Sequence, residues 1–357
     1  MDLFEEMKTQ GHEQVLCCSD TPSGLSAIIA IHSTKLGPAL GGCRMRPYPS
    51  FDSALLDVLR LSKGMTYKAA LAGLPLGGGK SVILGDPRKD RTKSRMLAFA
   101  QQVSRLGGRY IVAEDVGIGL ADIELFRTIT PHVAGFSKEA GGTGDPSPAT
   151  ALGVFFGMKA CLEEVFFGGT TLAGVAPLAG HVAPANDAFH GKRVAIQGMG
   201  KVGYALAKLL HSAGAHLIIS DMDPEKVAIG CREFNGDPLH PHEIYRVDCD
   251  IFAPCALGGI LNDRTVPALS CKIVAGSANN QLDRAEVAQL IQNRGILYAP
   301  DYVINAGGLI HVASAKDNDI KVKAIYDRLK EVLRKAKEES ILPSEAADKM
   351  AEARFKP

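Results

Sequence analysis

The chain has 357 residues, with 40 Lys and Arg against 39 Asp and Glu, 46% hydrophobic residues and 22% charged ones. At about 100–200 residues per domain, that length predicts two domains. The near-zero charge excludes a strongly basic nucleic-acid binder and an acidic solvating chain, the apolar share excludes global disorder, and 6% aromatics without Trp leave little to stack on bases.

The opening residues, MDLFEEMKTQ, are acidic and amphipathic, unlike a signal peptide. Residues 24–34, GLSAIIAIHST, read as a buried strand. Residues 52–64 carry Leu55, Leu56, Val58, Leu59 and Leu61 at helical spacing, with Gly64 near the end of the pattern. KSVIL at 80–84 and RYIVA at 109–113 read as short strands with a helix over 92–106 between them, the alternation of an α/β architecture. GGTGDPSP at 141–148 is built of turn formers and marks a domain boundary. A helix follows over 149–167, then an irregular surface excursion over 168–191. From 192 the rhythm sharpens: strands KRVAIQ, HLIISD, DIFAP, KIVAG and GILYAP, with a helix over 202–213, predict a doubly wound parallel sheet. Amphipathic helices close the chain over 321–340 and 344–354. No apolar run approaches the roughly 18 residues of a membrane span. The eight cysteines include no C-x-x-C pair, and several lie in apolar runs. A reduced, cytoplasmic chain without a metal site is expected.

Two motifs carry chemistry. Gly198-Met199-Gly200-Lys201-Val202-Gly203 fits G-x-G-x-x-G, with an apolar strand leading in, a helix leading out and Asp221 ending the next strand. The first Gly makes the turn, the second lets a pyrophosphate approach the backbone, and the helix N-terminus attracts it. Asp221, with Asp223 beside it, suits free ribose hydroxyls and repels a 2′-phosphate, which favours NAD over NADP. Gly77-Gly78-Gly79-Lys80-Ser81 suggests a phosphate loop, but the spacing fails, since Leu74 stands where a glycine is required. The glycines can instead admit a ligand or another backbone very closely. Lys68 and Lys80 lie in glycine-rich, apolar surroundings. They read either as solvated surface lysines or as a desolvated pair in which one amine can serve as a base. Glu114-Asp115 after RYIVA reads as a turn or cap, or as an acid at the carboxyl end of a strand.

Taken in order, LGPALGGCRM (36–45), GMTYKAA (64–70), LPLGGGKSVI (74–83), AEDVG (113–117), DPSPATALGV (145–154), QGMGKVG (197–203), DCDIFAPCALGG (248–259), AGSANNQL (275–282) and YAPDYVINAGG (298–308) resemble the Glu/Leu/Phe/Val dehydrogenase family, most closely its leucine-type members. The resemblance implies two α/β domains separated by a cleft: a substrate domain at 1–147, a Rossmann-type NAD domain at 148–330, and C-terminal helices at 331–357 packing back on the first domain. It implies NAD-dependent, reversible oxidative deamination of an apolar, branched-chain L-amino acid to the 2-oxo acid and ammonia, in a homo-oligomer. Phenylalanine- or tryptophan-preferring activity and a catalytically inactive NAD-binding regulator are the alternatives.

Residue by residue, Lys80 matches the catalytic lysine that activates water, Asp115 the acid that exchanges protons with the amino nitrogen, and Lys68 the anchor of the substrate carboxylate. Arg44, Gly41 and Asn279 fall near the substrate. Leu40, Ala113, Ala134, Leu309 and Val312 fall around its side chain, where five apolar residues would leave a charged substrate unpaired. Ala134 stands where leucine-type members tend to carry Thr, and Leu309 exceeds their usual Val. Thr150, Gly198, Met199, Gly200, Lys201, Val202, Gly203, Asp221, Ala256, Leu257, Ser277, Ala278 and Asn279 fall on NAD-binding positions. The 168–191 segment is longer than a family connector, and ASAKDNDIK after Val312 is shorter than its counterpart.

Overall fold

The computed structural model describes residues 2–167, 187–313 and 318–356. Most of the excursion read over 168–191, and residues 314–317 of the segment after Val312, lie outside the described residues. The fold is two α/β units. One comprises Met1–Pro146 with Ala351–Pro357, the other Ser147–Met350.

The first unit holds α1 (Leu3–Gln10), β1 (Gln14–Asp20), β2 (Leu25–Ser33), β3 (Ala39–Arg46), α2 (Phe51–Leu71), β4 (Gly77–Leu84), α3 (Lys93–Arg105), β5 (Tyr110–Ala113) and α4 (Leu120–Arg127). Its sheet runs β1-β2-β4-β3-β5. β1 and β2, and β2 and β4, pair antiparallel, whereas β3 pairs parallel with both β4 and β5. β2 is apolar at nearly every position because both its faces are covered. Ile28 and Ala30 pack with Ala54, Leu55, Val58 and Leu59 of α2. Leu25, Ala27, Ile29 and Ile31 face the opposite way, into a core with Phe99, Val103 and Phe126. This is the continuous pattern of a strand buried on both sides.

α2, β4, β1 and β3 depart from the sequence expectation. α2 continues through Gly64 to Leu71. A mid-helix glycine costs about 1 kcal/mol relative to alanine, and here burial of Thr66, Tyr67, Ala69, Ala70 and Leu71 beyond it holds the helix. Ser50 caps the other end, accepting from Ser53 N at 3.1 Å. β4 begins at Gly77 rather than at Lys80, so Lys80 lies inside the strand. β1 and β3 form where alternation is weak. β1 carries the Cys17-Cys18 pair, and β3 takes two glycines into its middle.

The second unit opens with α5 (Ser147–Phe167). It continues through β6 (Arg193–Gln197), α6 (Lys201–Ser212), β7 (His216–Ser220), α7 (Pro224–Phe234), β8 (Asp237–Pro238), β9 (Ile251–Pro254), β10 (Ile273–Val274), α8 (Val287–Asn293), β11 (Leu297–Tyr298), α9 (Asp301–Ile304) and α10 (Gly307–Ala313). The sheet is parallel throughout, in the order β11-β10-β9-β6-β7-β8. This is the doubly wound arrangement: the chain runs outward through β6, β7 and β8, then crosses back to place β9 on the other side of β6. Ala195, Ile218, Phe252 and Val274 of four neighbouring strands share one core. α11 (Asn318–Lys323) and α12 (Ile325–Glu339) meet at Ala324. α12 buries Leu329, Val332, Leu333 and Ala336 and packs on α5, so residues 331–350 belong to this unit.

The last helix, α13 (Pro343–Phe355), ends among residues of the first unit. The Tyr67 hydroxyl donates to Glu352 Oε1 at 2.6 Å, and the Tyr67 and Phe355 rings meet at 5.4 Å.

Candidate active site

In the first unit, β3, β4 and β5 run parallel, so their carboxyl ends gather at one edge of the sheet. The strands lie unusually close to what covers them. A Cβ on Gly78 would stand 2.0 Å from Thr66 N of α2, and one on Gly41 would stand 1.8 Å from Gly79 O of β4. Side chains are absent there because neighbouring backbone fills the space; the triple glycine thus serves close packing of main chain. Tyr110 locks this patch from beneath. Its fully buried hydroxyl donates to Gly41 O at 2.8 Å and pairs with Ser81 Oγ at 2.9 Å.

Lys80 points from this floor and is only 5% exposed. Its Nζ donates to Oδ2 of Asp115, which follows the end of β5. Asp115 Oδ1 accepts from Arg44 Nε at 3.0 Å and from Val116 N at 2.6 Å. Burial alone would raise the Asp115 pKa. The Lys80 and Arg44 cations, with hydrogen bonds from Lys80 and Val116, outweigh it and hold the carboxyl well below the usual range. Asp115 is therefore an ionised acceptor through neutral and mildly acidic pH. Arg44, expected beside the substrate, is engaged by two carboxylates, since its Nη1 also reaches Asp57 Oδ2 at 3.1 Å.

Lys68 occupies the last turn of α2, half-buried. Leu40 is buried on β3, in register with Gly78 of β4 and Ile111 of β5. Ala113 pairs with Gly42 across the β3–β5 ladder, and Ala134 N donates to Val112 O at 2.8 Å. Thus Lys80, Asp115, Arg44, Leu40, Gly41, Ala113, Ala134 and Lys68 all belong to the first unit. Asn279, Leu309 and Val312 belong to the second. There, Asn279 Oδ1 accepts from Asn305 Nδ2 at 2.8 Å, and Leu309 and Val312 lie on α10, Leu309 buried and Val312 half-buried.

The glycine loop of the second unit joins β6 to α6. Gly198 has φ of 102° and donates its N–H to Ser220 O at 2.7 Å. A Cβ on Gly203 would meet Gly198 O at 1.9 Å, so this glycine lets α6 close on the turn. Around Gly200 no atom lies within 4 Å of a would-be Cβ, and Gly200 caps α6 without a side-chain bond, leaving open backbone at a helix N-terminus. Asp221 follows β7 and accepts from Met199 N at 2.6 Å through Oδ2 and from Asp223 N at 2.9 Å through Oδ1. Lys201 and Val202 begin α6. Ala256 and Leu257 are exposed after β9, and Ser277 and Ala278 follow β10, all beyond the carboxyl ends of parallel strands. Thr150 lies in the first turn of α5. These features suit a dinucleotide, with pyrophosphate at the α6 N-terminus and a carboxylate for ribose.

Sequence reasoning missed Asp57, Tyr48, Tyr110 and Thr66. Each is an ordinary residue in its own segment. Only the fold brings Asp57 of α2 and Tyr48 of the loop after β3 to Arg44. Among the described residues, no group of three or more His, Cys, Asp or Glu side chains could hold a metal ion, and no helix is long and apolar enough to cross a membrane.

Comparison with known proteins gives a consistent picture. Residues 12–132 match the family described as "Glu/Leu/Phe/Val dehydrogenase, dimerisation domain", and residues 225–351 match "Glutamate/Leucine/Phenylalanine/Valine dehydrogenase". The chain is 50% identical to a leucine dehydrogenase of Geobacillus stearothermophilus, covering 99% of this chain and 94% of the relative. It is 44% identical to a phenylalanine dehydrogenase of Thermoactinomyces intermedius, again over 99% and 94%. The crystal structure of an L-tryptophan dehydrogenase from Nostoc punctiforme superposes with a TM-score of 0.81 at 41% identity, covering 99% of this chain and 98% of that one.

Proposed function

Because the chain belongs to the Glu/Leu/Phe/Val dehydrogenase family, we propose that it catalyses the NAD-dependent, reversible oxidative deamination of an apolar L-amino acid, leucine foremost, to the 2-oxo acid and ammonia. The observation that carries the proposal is the buried Lys80–Asp115 pair, with Lys80 on the strand whose glycines pack directly against neighbouring backbone.

Lys68 holds the substrate carboxylate as a cation. Asp115, kept ionised by its neighbours, accepts a proton from the amino nitrogen. The bound nicotinamide supplies a hydride acceptor for the α-carbon. Lys80 Nζ, once it has shed its proton, draws a proton from the water that attacks the resulting imine, and returns it as ammonia leaves. Leu40, Ala113, Ala134, Leu309 and Val312 surround the side chain, and Gly41, Arg44 and Asn279 complete the surroundings of the substrate. The loop Gly198–Gly203, with Thr150, Ala256, Leu257, Ser277, Ala278 and Asn279, holds the cofactor. The Asp221 carboxylate favours NAD over NADP, since a 2′-phosphate would meet its charge. A homo-oligomer is the assembly proposed for the chain in solution.

Initial rates with a panel of L-amino acids and either NAD or NADP, followed at the NADH absorbance band, test the proposal. Leucine, valine and isoleucine should lead with NAD. Phenylalanine should be detectable, because a methylene more or less in an apolar pocket is worth only about 1–3 kcal/mol. A rate on phenylalanine or tryptophan about tenfold above leucine would transfer the chain to the aromatic-preferring members.

A further inference from the structure

We infer that Asp57, braced by Tyr48, is a positioning residue for the reaction proposed above: it fixes the Arg44 guanidinium so that Asp115 meets Arg44 through one N–H only and keeps its second oxygen for Lys80. For its kinetic test, this inference rests on the proposed deamination.

Five side chains from separate segments form one continuous line. The Tyr48 hydroxyl donates to Asp57 Oδ2 at 2.6 Å. Asp57 accepts Arg44 Nη1 at 3.1 Å through Oδ2 and 3.4 Å through Oδ1. Arg44 Nε reaches Asp115 Oδ1 at 3.0 Å, and Lys80 takes Asp115 Oδ2. A guanidinium is a planar fork that prefers to grip both oxygens of a carboxylate. The Arg44 side chain is only 16% exposed, so water offers its remaining N–H groups little alternative. Without Asp57 on Nη1, the fork is free to turn onto both oxygens of Asp115 and compete with Lys80 for Oδ2. Asp57 prevents that by holding the fork from its far side.

Charge leads the same way. Lys80 and Arg44 are balanced by Asp115 and Asp57, and removing the Asp57 charge leaves an excess positive charge beside the Lys80–Asp115 pair. The neighbouring Cys43, Tyr110 and Tyr48 add none. Burial pushes the Cys43 thiol up to about 12 and the Tyr110 phenol well above its ordinary value. Burial and the bond to Asp57 likewise keep Tyr48 protonated. Arg46 lies over the Tyr48 ring at 5.0 Å, and Glu114 precedes Asp115 in the chain. A surface ion pair on a helix would matter little. Asp57 matters through what Arg44 does next.

The test compares Asp57→Asn, which removes the charge but keeps the shape, with Asp57→Glu, which keeps the charge, and Tyr48→Phe, which removes only the brace. Asp57→Asn should lower kcat for deamination about tenfold while changing the amino acid KM less than about threefold. Its pH–rate profile should rise at a pH lower by about half a unit or more, and Asp57→Glu should restore the wild-type position. A second readout needs no turnover. The pH at which Lys80 becomes reactive to trace acetic anhydride, followed by peptide mass spectrometry, should move down in Asp57→Asn. If Asp57→Asn does not fold, Tyr48→Phe should show the same direction with a smaller amplitude. A wild type inactive on every apolar amino acid would overturn the proposed deamination, and the labelling would still decide this inference. An active wild type with profile and labelling unmoved in Asp57→Asn, or unmoved in Tyr48→Phe should that be the only folded variant, would overturn the inference.

Discussion

At the scale of single residues, the proposed chemistry rests on Lys80 and Asp115, which hold one another. Lys80→Ala should reduce turnover about 10²–10⁴-fold, the range of a lost general acid–base group. Cofactor affinity, measured by NADH fluorescence, should be almost unchanged, because the residues proposed to hold the cofactor lie in the other unit. A variant retaining the wild-type rate would sink the assignment. The deamination rate should climb with pH in the wild type, since Lys80 must shed a proton before it can take one from water; a profile flat from neutral to strongly alkaline pH would contradict a lysine base. Leu40→Gly should open the far end of the proposed side-chain pocket and raise the phenylalanine-to-leucine ratio of kcat/KM. An unchanged ratio would remove Leu40 from the pocket. Lys68, Lys80 and Asp115 were singled out in the sequence, but their own segments left solvated lysines and a turn or cap open; the resemblance suggested their roles, and the fold adds that Lys80 and Asp115 pair. Arg44 was legible as a site neighbour, but its pairing with two carboxylates was not. Asp57 and Tyr48 carry no local signal. They become significant only once α2 is laid on the sheet.

At the scale of elements, strong periodicity was readable and close packing was not. The second unit followed its sequence closely because β6, β7 and β9 are compact apolar runs set off by helices and turns. In the first unit, β3 was hidden because Gly41 and Gly42 interrupt its apolar pattern. The true start of β4 was hidden because glycine signals a turn far more often than a strand. Gly64 misled the reading of α2 in the same way. What decided these cases was contact between distant backbones, which no local window contains. Gly78→Ala tests that account. Its methyl would stand 2.0 Å from Thr66 N and 2.3 Å from Thr66 Oγ1, both on a helix held by its own core. The expected outcome is a loss of about 1–3 kcal/mol in denaturant unfolding together with reduced turnover, since Lys80 lies two residues along the displaced strand. Unchanged stability would show that α2 yields freely.

At the scale of the whole molecule, acid is the condition to which the fold is most exposed. His12 and His32 are buried at an edge-to-face distance of 4.9 Å. His12 Nε2 lies 3.1 Å from Leu59 O and 3.0 Å from Ser62 Oγ; His32 Nδ1 lies 2.8 Å from Thr66 Oγ1, and its Nε2 3.0 Å from Gln10 O. Burial lowers both from 6.5 to about 4. The unfolded chain therefore binds more protons than the folded one between these values, and stability falls as pH drops from about 6.5 to about 4. That span is worth about 3 kcal/mol per imidazole at most. Below it the depressed carboxyls, Asp115 foremost, continue the loss in the same direction. Melting temperature should thus decline steadily from pH 6.5 downward, and His32→Gln should flatten the first part of the decline. A melting temperature constant from pH 6.5 to 4.5 would contradict this account.

The glycine floor also bears on how such an enzyme changes its taste over generations. A surface made of main chain has no side chains to vary, and at Gly41 or Gly78 the smallest possible addition meets backbone atoms at 1.8 to 2.0 Å. Drift is closed there. Positions such as Leu40, Ala113 and Ala134, proposed around the substrate side chain, carry side chains that can vary instead. A mutagenesis library aimed at new amino acids can therefore leave the glycines untouched and explore those positions alone.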